Sequence, residues 1–193
     1  MPNKFDKVLI DYGHGGFIDG EYQTRGKRYT FVGEEPSWTI YEGEVNRRIA
    51  ARLISMLLNY NVETYDVVAQ HRVTEHPSFD GKSLEQGDTY LTQRVKYANR
   101  QKDSILISIH ANAIGNRSTG ASQSARGFAA FTSVGQTEAD LVADSIADEM
   151  DRRRVLKVRR DTSDGDADYE RDFYMLHKTA MPAVLTENGF FTN

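Results

Sequence analysis

Short apolar runs, each followed by an ionisable residue, are the most regular feature of the chain. The runs cover residues 8–10, 105–109 and 184–186. Their length and aliphatic content are typical of strands buried in a parallel sheet. His14, His110 and Glu187 follow the three runs in that order. Because ligands bind at the carboxyl ends of the strands in open α/β sheets, we expect these three side chains at one sheet edge.

Apolar residues that recur every three or four positions predict the helices. The first helix begins at Glu42 and ends near 59–61, and its apolar face comprises Val45, Ile49, Leu53 and Leu57. A short helix is predicted near 91–98 and a longer one over 137–150. The alternation of strands and helices indicates βαβ units and a largely parallel sheet.

These elements predict an α/β fold formed by a single domain over residues 1–193. Its core is predicted to be a mostly parallel twisted sheet of about six strands, flanked by helices on both faces. The run at 105–109 is the most hydrophobic and is the predicted central strand. Segments 17–41 and 71–90 show no clear period and are predicted to be long loops, the first with room for a short hairpin.

The amino-acid composition limits the partners and metal ligands that the chain can have. The chain of 193 residues is 39% hydrophobic and 27% charged, which is ordinary for a globular protein. Its net charge of −4 does not suggest a nucleic-acid partner, and no apolar stretch is long enough to predict a membrane span. There are no cysteines, so any metal must be held by histidine, aspartate or glutamate.

A zinc site is the chemistry that best explains the polar residues at the predicted edge. The candidate ligands are His14, Glu42 and His110, and three protein ligands leave a catalytic zinc one open position. These residues are far apart in sequence, so the prediction depends on the fold bringing them together. A lone histidine at a strand end is more often a structural residue. The other histidines, His71, His76 and His177, lie in loop-like contexts and are expected at the surface.

Glu187 is the candidate catalytic residue. A carboxylate that follows a buried strand is costly to bury unless it has a partner or a task. Beside a zinc site it is suited to accept a proton from water and return it to a leaving nitrogen. Two alternatives remain open, a fourth metal ligand and a salt-bridged structural acid, because sequence spacing does not separate them.

Four motifs in this chain resemble a known family, the zinc-dependent N-acetylmuramoyl-L-alanine amidases of bacterial autolysins, cell-division enzymes and phage endolysins. The motifs are residues 10–16, 42–50, 108–113 and 182–193. They occur in the family order and cover nearly the whole chain. One such motif would be weak evidence for the family, whereas four motifs in the family order are specific evidence for it.

The resemblance implies that His14, Glu42 and His110 bind zinc and that Glu187 is the catalytic glutamate. It further implies peptidoglycan as the substrate, cut at the amide between the lactyl group of N-acetylmuramic acid and L-alanine of the stem peptide. Glu44 competes for the ligand role of Glu42, but residues two apart on a helix point in different directions, so only one can face the zinc. The family alignment favours Glu42.

The resemblance also predicts where the protein acts, namely in the cell wall. No signal-peptide hydrophobic region is seen at the start of the sequence. We therefore expect either a phage protein made in the host cytoplasm or a secreted protein whose leader was removed. Two other functions stay open: another zinc amidohydrolase or peptidase, and an inactive wall-binding domain. Glu187 argues against the last, because a binding domain needs no proton acceptor there.

Overall fold

The structure, a computed structural model, describes residues 5–33, 36–73, 84–116, 120–121, 123–163 and 165–193. In chain order, its elements are β1 (Lys7–Tyr12), β2 (Phe17–Ile18), β3 (Glu21–Tyr22), β4 (Arg28–Phe31), β5 (Trp38–Tyr41), α1 (Glu42–Asn59), β6 (Glu63–Asp66), β7 (His71–Arg72), α2 (Leu91–Ala98), β8 (Ser104–Asn112), β9 (Gly115–Asn116), β10 (Gly120–Ala121), β11 (Phe128–Thr132), α3 (Glu138–Arg153), β12 (Tyr169–Glu170), α4 (Tyr174–Lys178) and β13 (Ala183–Phe190).

A mixed sheet with the strand order β12-β11-β13-β8-β1-β6-β7 forms the centre of the described structure. Strand β8 is central and runs parallel to both neighbours, β1 and β13. The pairs β1–β6 and β11–β12 are also parallel, whereas β11–β13 and β6–β7 are antiparallel. The predicted mostly parallel sheet is confirmed. It has seven strands rather than about six, because the outer strands β7 and β12 are too short to produce a sequence period.

Helices cover both faces of the sheet, as predicted. Successive residues of a strand point to opposite faces, so β8 contributes to a core on each side. Leu106 packs in the core that contains Val95 of α2 and Met175 of α4. Ile109 packs on the other face with Ala50 and with the rest of the buried stripe of α1. Helix α3 packs over β11 and β13 on that second face, where Ile107 of β8 borders both its cluster and that of α1.

The segment predicted as the first long loop is more regular than expected. It holds two antiparallel hairpins, β2–β3 and β4–β5. In the second hairpin, Phe31 and Trp38 are cross-strand partners whose rings stack with centroids 4.2 Å apart. The sequence left room for one short hairpin here, but strands of two to four residues are too short for a clear alternation, so the second hairpin was not predicted.

The second predicted loop is described only in part, because residues 74–83 lie outside the described residues. Its first two residues form β7, and residues 84–90 run irregularly into α2. None of the helices in the described part of the chain is long and apolar enough to cross a membrane.

Candidate metal centre and active site

His14 lies in a tight turn that follows β1. The turn begins at Gly13, where the ring of His110 packs directly against the backbone and leaves no space for a Cβ atom. His14 itself has a φ of 69°, in the left-handed region that residues with side chains rarely adopt. The turn places the imidazole over the carboxyl end of the sheet, as the sequence predicted.

Glu42 reaches the same edge from a different element, since it is the first residue of α1. Its backbone N–H donates to the carbonyl of Lys27, 2.9 Å away, which ties the start of the helix to the preceding hairpin segment. Only 1% of the Glu42 side chain is exposed. A carboxylate in the first turn is favoured by the positive end of the helix dipole.

His110 and Glu187 come from neighbouring parallel strands. His110 lies near the carboxyl end of β8, and Glu187 is its Cα partner on β13. The two residues are therefore brought side by side by the sheet hydrogen bonds. The irregular register that follows Glu187 on β13 ends the regular pairing just beyond the site.

The three predicted ligands converge on one point. Glu42 Oε1 lies 3.2 Å from His14 Nε2 and 3.2 Å from His110 Nδ1. One ligand atom from each residue can be chosen so that all three lie within 4.8 Å of one another. The imidazole rings are perpendicular, with centroids 5.2 Å apart. In the described part of the chain this is the one group of three or more such side chains close enough to share an ion.

Unsatisfied polar atoms show that the cluster fits a cation. His14 Nε2 is buried and has no hydrogen-bond partner, because its short contact with Glu42 lacks hydrogen-bond geometry. Glu42 Oε2 is likewise buried without a hydrogen bond, although the ammonium of Lys27 lies 3.4 Å away. Buried polar atoms are normally paired. Two imidazoles and one carboxylate are a donor set that zinc accepts.

The charges within the cluster reinforce one another. Burial by itself would raise the pKa of Glu42, but hydrogen bonding to His110 and the proximity of His14 lower it below its usual range. Burial by itself would lower the pKa of His110, yet the adjacent Glu42 carboxylate raises it overall. Glu42 therefore remains ionised, which is the form a metal ligand requires.

The pKa of Glu187 is shifted in the opposite direction from that of Glu42. Burial raises its pKa to about 7, with a further contribution from the charge of Glu42 and an opposing one from His110. Its Oε2 is buried and has no hydrogen-bond partner. No cation in the described residues forms an ion pair with Glu187, so the structure does not support the alternative of a salt-bridged acid. A carboxyl group that titrates near neutrality is suited to exchange a proton.

The structure separates the two acids that competed for the ligand role. Glu44 Oε1 lies beside the backbone of Gly16, where an added Cβ atom would come within 2.5 Å of it. Glu44 is therefore absent from the cluster that contains Glu42. This separation follows from the 100° turn per residue of an α-helix.

A cavity of about 420 Å³ opens over the cluster. Its lining includes apolar and aromatic side chains such as Leu91, Phe173 and Tyr174. The charged or ionisable residues that line it are Asp11, His14, Lys27, Asp88, Arg94, His110 and Glu187. A larger cavity of about 760 Å³ is lined mainly by residues of α1 and contains none of the predicted site residues. The smaller cavity is the candidate active site, because the ionisable groups meet there.

The comparison with known protein families shows which family the chain belongs to. A family model described as N-acetylmuramoyl-L-alanine amidase matches residues 8–193. The chain belongs to this amidase family. The family predicted from the four sequence motifs is thereby confirmed.

Two named amidases are similar to the chain over nearly its whole length. The N-acetylmuramoyl-L-alanine amidase CwlM of Bacillus licheniformis is 30% identical over 192 residues, which cover 97% of this chain and 57% of the relative. An uncharacterized cell wall amidase of Bacillus anthracis is 28% identical over 191 residues, or 96% of this chain and 30% of the relative. The chain thus spans less than two thirds of the length of these amidases.

Solved amidase structures share the fold. The N-acetylmuramoyl-L-alanine amidase of Clostridium difficile 630 has a TM-score of 0.66 at 21% identity, covering 99% of this chain and 83% of that chain. The catalytic domain of CwlV from Bacillus (Paenibacillus) polymyxa var. colistinus has a TM-score of 0.64 at 24% identity, covering 98% and 83%. These similarities confirm the predicted fold class.

Sequence reasoning missed Lys27, which faces the amidase cavity from the segment predicted as a loop. It also missed the role of Arg94, a fully buried residue. Arg94 Nη1 donates to Asp11 Oδ1 at 2.8 Å and to the carbonyl of Tyr12 at 3.0 Å. No period or local motif could have indicated these contacts, because they join segments about 80 residues apart.

Proposed function

We propose that this member of the amidase family is a zinc-dependent N-acetylmuramoyl-L-alanine amidase. Its proposed substrate is peptidoglycan, which it would cut between the lactyl group of N-acetylmuramic acid and L-alanine of the stem peptide. The observation that carries the proposal is the meeting of His14, Glu42 and His110 beside an unpaired, buried Glu187. The names of the relatives support the choice of substrate.

In this proposal His14, Glu42 and His110 hold the metal. A bound zinc ion supplies a Lewis acid that polarises the amide carbonyl and lowers the pKa of water. The negative charge that develops on the carbonyl oxygen needs positive groups nearby. The ammonium of Lys27 lines the same cavity and provides one from the protein.

Glu187 moves the protons in the proposed reaction. As a carboxylate it takes a proton from the water that attacks the carbonyl carbon. As a carboxylic acid it gives that proton to the nitrogen of L-alanine when the carbon–nitrogen bond breaks. Burial raises the pKa of Glu187, which favours the uptake of a proton by its carboxylate, so one residue can serve as base and then as acid. The products are a lactyl carboxylate and a free amino terminus.

We extend the proposal to the whole of residues 1–193 as a catalytic domain that acts in the cell wall. The match over residues 8–193 supports this extension. The two competing functions make different predictions for one experiment, the digestion of purified peptidoglycan followed by mass analysis. An amidase releases stem peptides with new L-alanine amino termini and creates no new reducing sugar ends.

Other outcomes of that digestion would reject the proposal. New amino termini at other stem-peptide positions would indicate a zinc peptidase, and an absence of any release would indicate a wall-binding domain. The matched control is Glu187→Gln, which keeps the size and the hydrogen-bonding capacity of the side chain but cannot accept the proton. Release by the wild type that persists unchanged in this control would reject the role of Glu187.

A further inference from the structure

The backbone of His14 is held by side chains from outside its own turn. Its left-handed conformation, with a φ of 69°, is unfavourable for a residue with a Cβ atom and persists only where the surroundings enforce it. The carbonyl of Gly13 accepts a hydrogen bond from Asn46 Nδ2 at 2.9 Å. The next carbonyl, that of His14 itself, accepts one from Arg47 Nη2 at 3.0 Å. Both donors are adjacent residues of α1.

Arg47 joins three segments through one guanidinium group. Besides the carbonyl of His14, Nη1 donates to the carbonyl of Gly43 at 2.8 Å and Nε to that of Glu85 at 2.8 Å. Gly43 follows Glu42 directly. The same guanidinium therefore contacts the backbone of His14 and the backbone of the residue next to Glu42. Arg47 is 4% exposed, which keeps water from competing for these bonds.

The nearby Glu44 carboxylate favours the charged form of Arg47, but the hydrogen bonds of Arg47 go to the backbone. In the described part of the chain no carboxylate forms an ion pair with Arg47, and the three hydrogen bonds that it donates there all go to backbone carbonyls. Its charged group lies 5.2 Å from the centroid of the Tyr12 ring, which provides a favourable aromatic face. The donors of the planar guanidinium have fixed directions, and a lysine ammonium cannot match three carbonyls placed in this way.

We propose that Arg47 is a positioning residue for the metal ligand His14. By holding the carbonyl of His14 and the first turn of α1 together, it fixes the imidazole of His14 relative to the carboxylate of Glu42. This inference rests on the proposed function, because it treats the His14–Glu42–His110 cluster as a zinc site. Groups that orient metal ligands without touching the metal commonly change metal affinity by about 10- to 100-fold when replaced.

The test measures the zinc dissociation constant of the full chain by competition with a chelator. Wild type is compared with Arg47→Lys and Arg47→Gln, and cobalt is substituted for zinc to record the visible spectrum of the site. The control is Ile54→Ala, which removes fully buried methyl groups two turns further along α1 and lowers stability without touching His14. All proteins are measured at a temperature at which circular dichroism shows them folded.

We expect both Arg47 variants to bind zinc about 10- to 100-fold more weakly and to alter the cobalt spectrum, while Ile54→Ala binds as wild type does. Wild-type affinity in Arg47→Lys would overturn the proposal. An equal loss in Ile54→Ala would also overturn it, as would failure of both Arg47 variants to fold, because the role would then be structural. If wild type itself does not bind zinc, the proposed function fails rather than this inference alone.

Discussion

Asp11 and Glu187 are acidic residues at the same edge of the sheet, yet their surroundings differ. Asp11 is 1% exposed, and both of its carboxylate oxygens are paired, with Arg94 at 2.8 Å and with Ser108 at 2.6 Å. Glu187 has a buried oxygen with no partner, and burial raises its pKa to about 7. A paired acid of this kind serves the fold, whereas an unpaired acid beside a ligand cluster remains available for proton transfer.

The sheet explains why these environments lie so close together. Ser108 and His110 of β8 point to the same face, and they are the Cα partners of Asp11 on β1 and of Glu187 on β13, respectively. One step of two residues along β8 therefore separates the structural acid from the proposed catalytic acid. Four predictions test this distinction, beginning with the largest expected effect.

Loss of the metal cluster should have the largest effect. We expect His110→Ala to lose zinc and to abolish peptidoglycan hydrolysis, because the remaining imidazole and carboxylate of His14 and Glu42 are too few to hold a catalytic zinc. Metal analysis of the purified protein together with the digestion assay checks both points. Full zinc occupancy in this variant would reject the ligand set.

Replacement of Glu187 should affect the reaction and spare the fold. We expect Glu187→Gln to bind zinc and to unfold as wild type does, while hydrolysis slows by a factor on the order of 10² to 10⁴, the usual contribution of general acid–base catalysis. The rate of release of L-alanine amino termini is the measurement. A variant that lost zinc as well would show that Glu187 is a ligand, the alternative that the sequence left open.

Replacement of Arg94, the partner of Asp11, should lower the stability of the fold. Arg94→Met leaves the Asp11 carboxylate buried without its cation, and breaking a buried ion pair in this way costs about 3–5 kcal/mol. The free energy of unfolding, measured by denaturant titration, checks this expectation. An unchanged free energy of unfolding would show that Asp11 is not the structural acid that we contrast with Glu187.

A third buried acid extends the comparison. Asp168 also has a buried oxygen without a hydrogen-bond partner, but it does not line the cavity that contains Glu187. One of its oxygens accepts a bond from Thr132 at the far end of β11, and the other has no hydrogen-bond partner. Burial, with a further contribution from Asp166, raises the pKa of Asp168 to about 7. An unpaired buried acid is therefore not sufficient to mark a catalytic residue; the neighbouring ligand cluster is also required.

The raised pKa of Asp168 predicts a pH-dependent stability. Its protonated form is favoured in the folded state, so this contribution is present below the unfolded pKa near 4 and is lost as the pH rises through about 7. Asp168→Asn stays neutral, and we expect it to be more stable than wild type at pH 8 by about 1–2 kcal/mol and equal to it at pH 4. Denaturant titrations at the two pH values test this, and a gain of the same size at both would contradict the pKa argument.

Much of the site's composition was predictable from local sequence. Apolar runs that end in His110 and Glu187 are long enough to specify strands without help from the rest of the chain. The apolar stripe that begins after Glu42 likewise specifies α1. The segment before Glu42 was predicted to be a long loop with room for one short hairpin, whereas it holds two, because strands this short give no clear period.

The sequence by itself determined the elements, the family and the kinds of donor that a metal could find, since a chain without cysteines has only histidine and acidic ligands to offer. Only the tertiary structure decided that Glu42 rather than Glu44 joins the histidines, that Asp11 is paired while Glu187 is not, and that Arg47 holds the turn of His14. The physical reason is that periodicity reports which face of an element is buried, whereas hydrogen bonds between segments depend on distances that exist only after the sheet has formed.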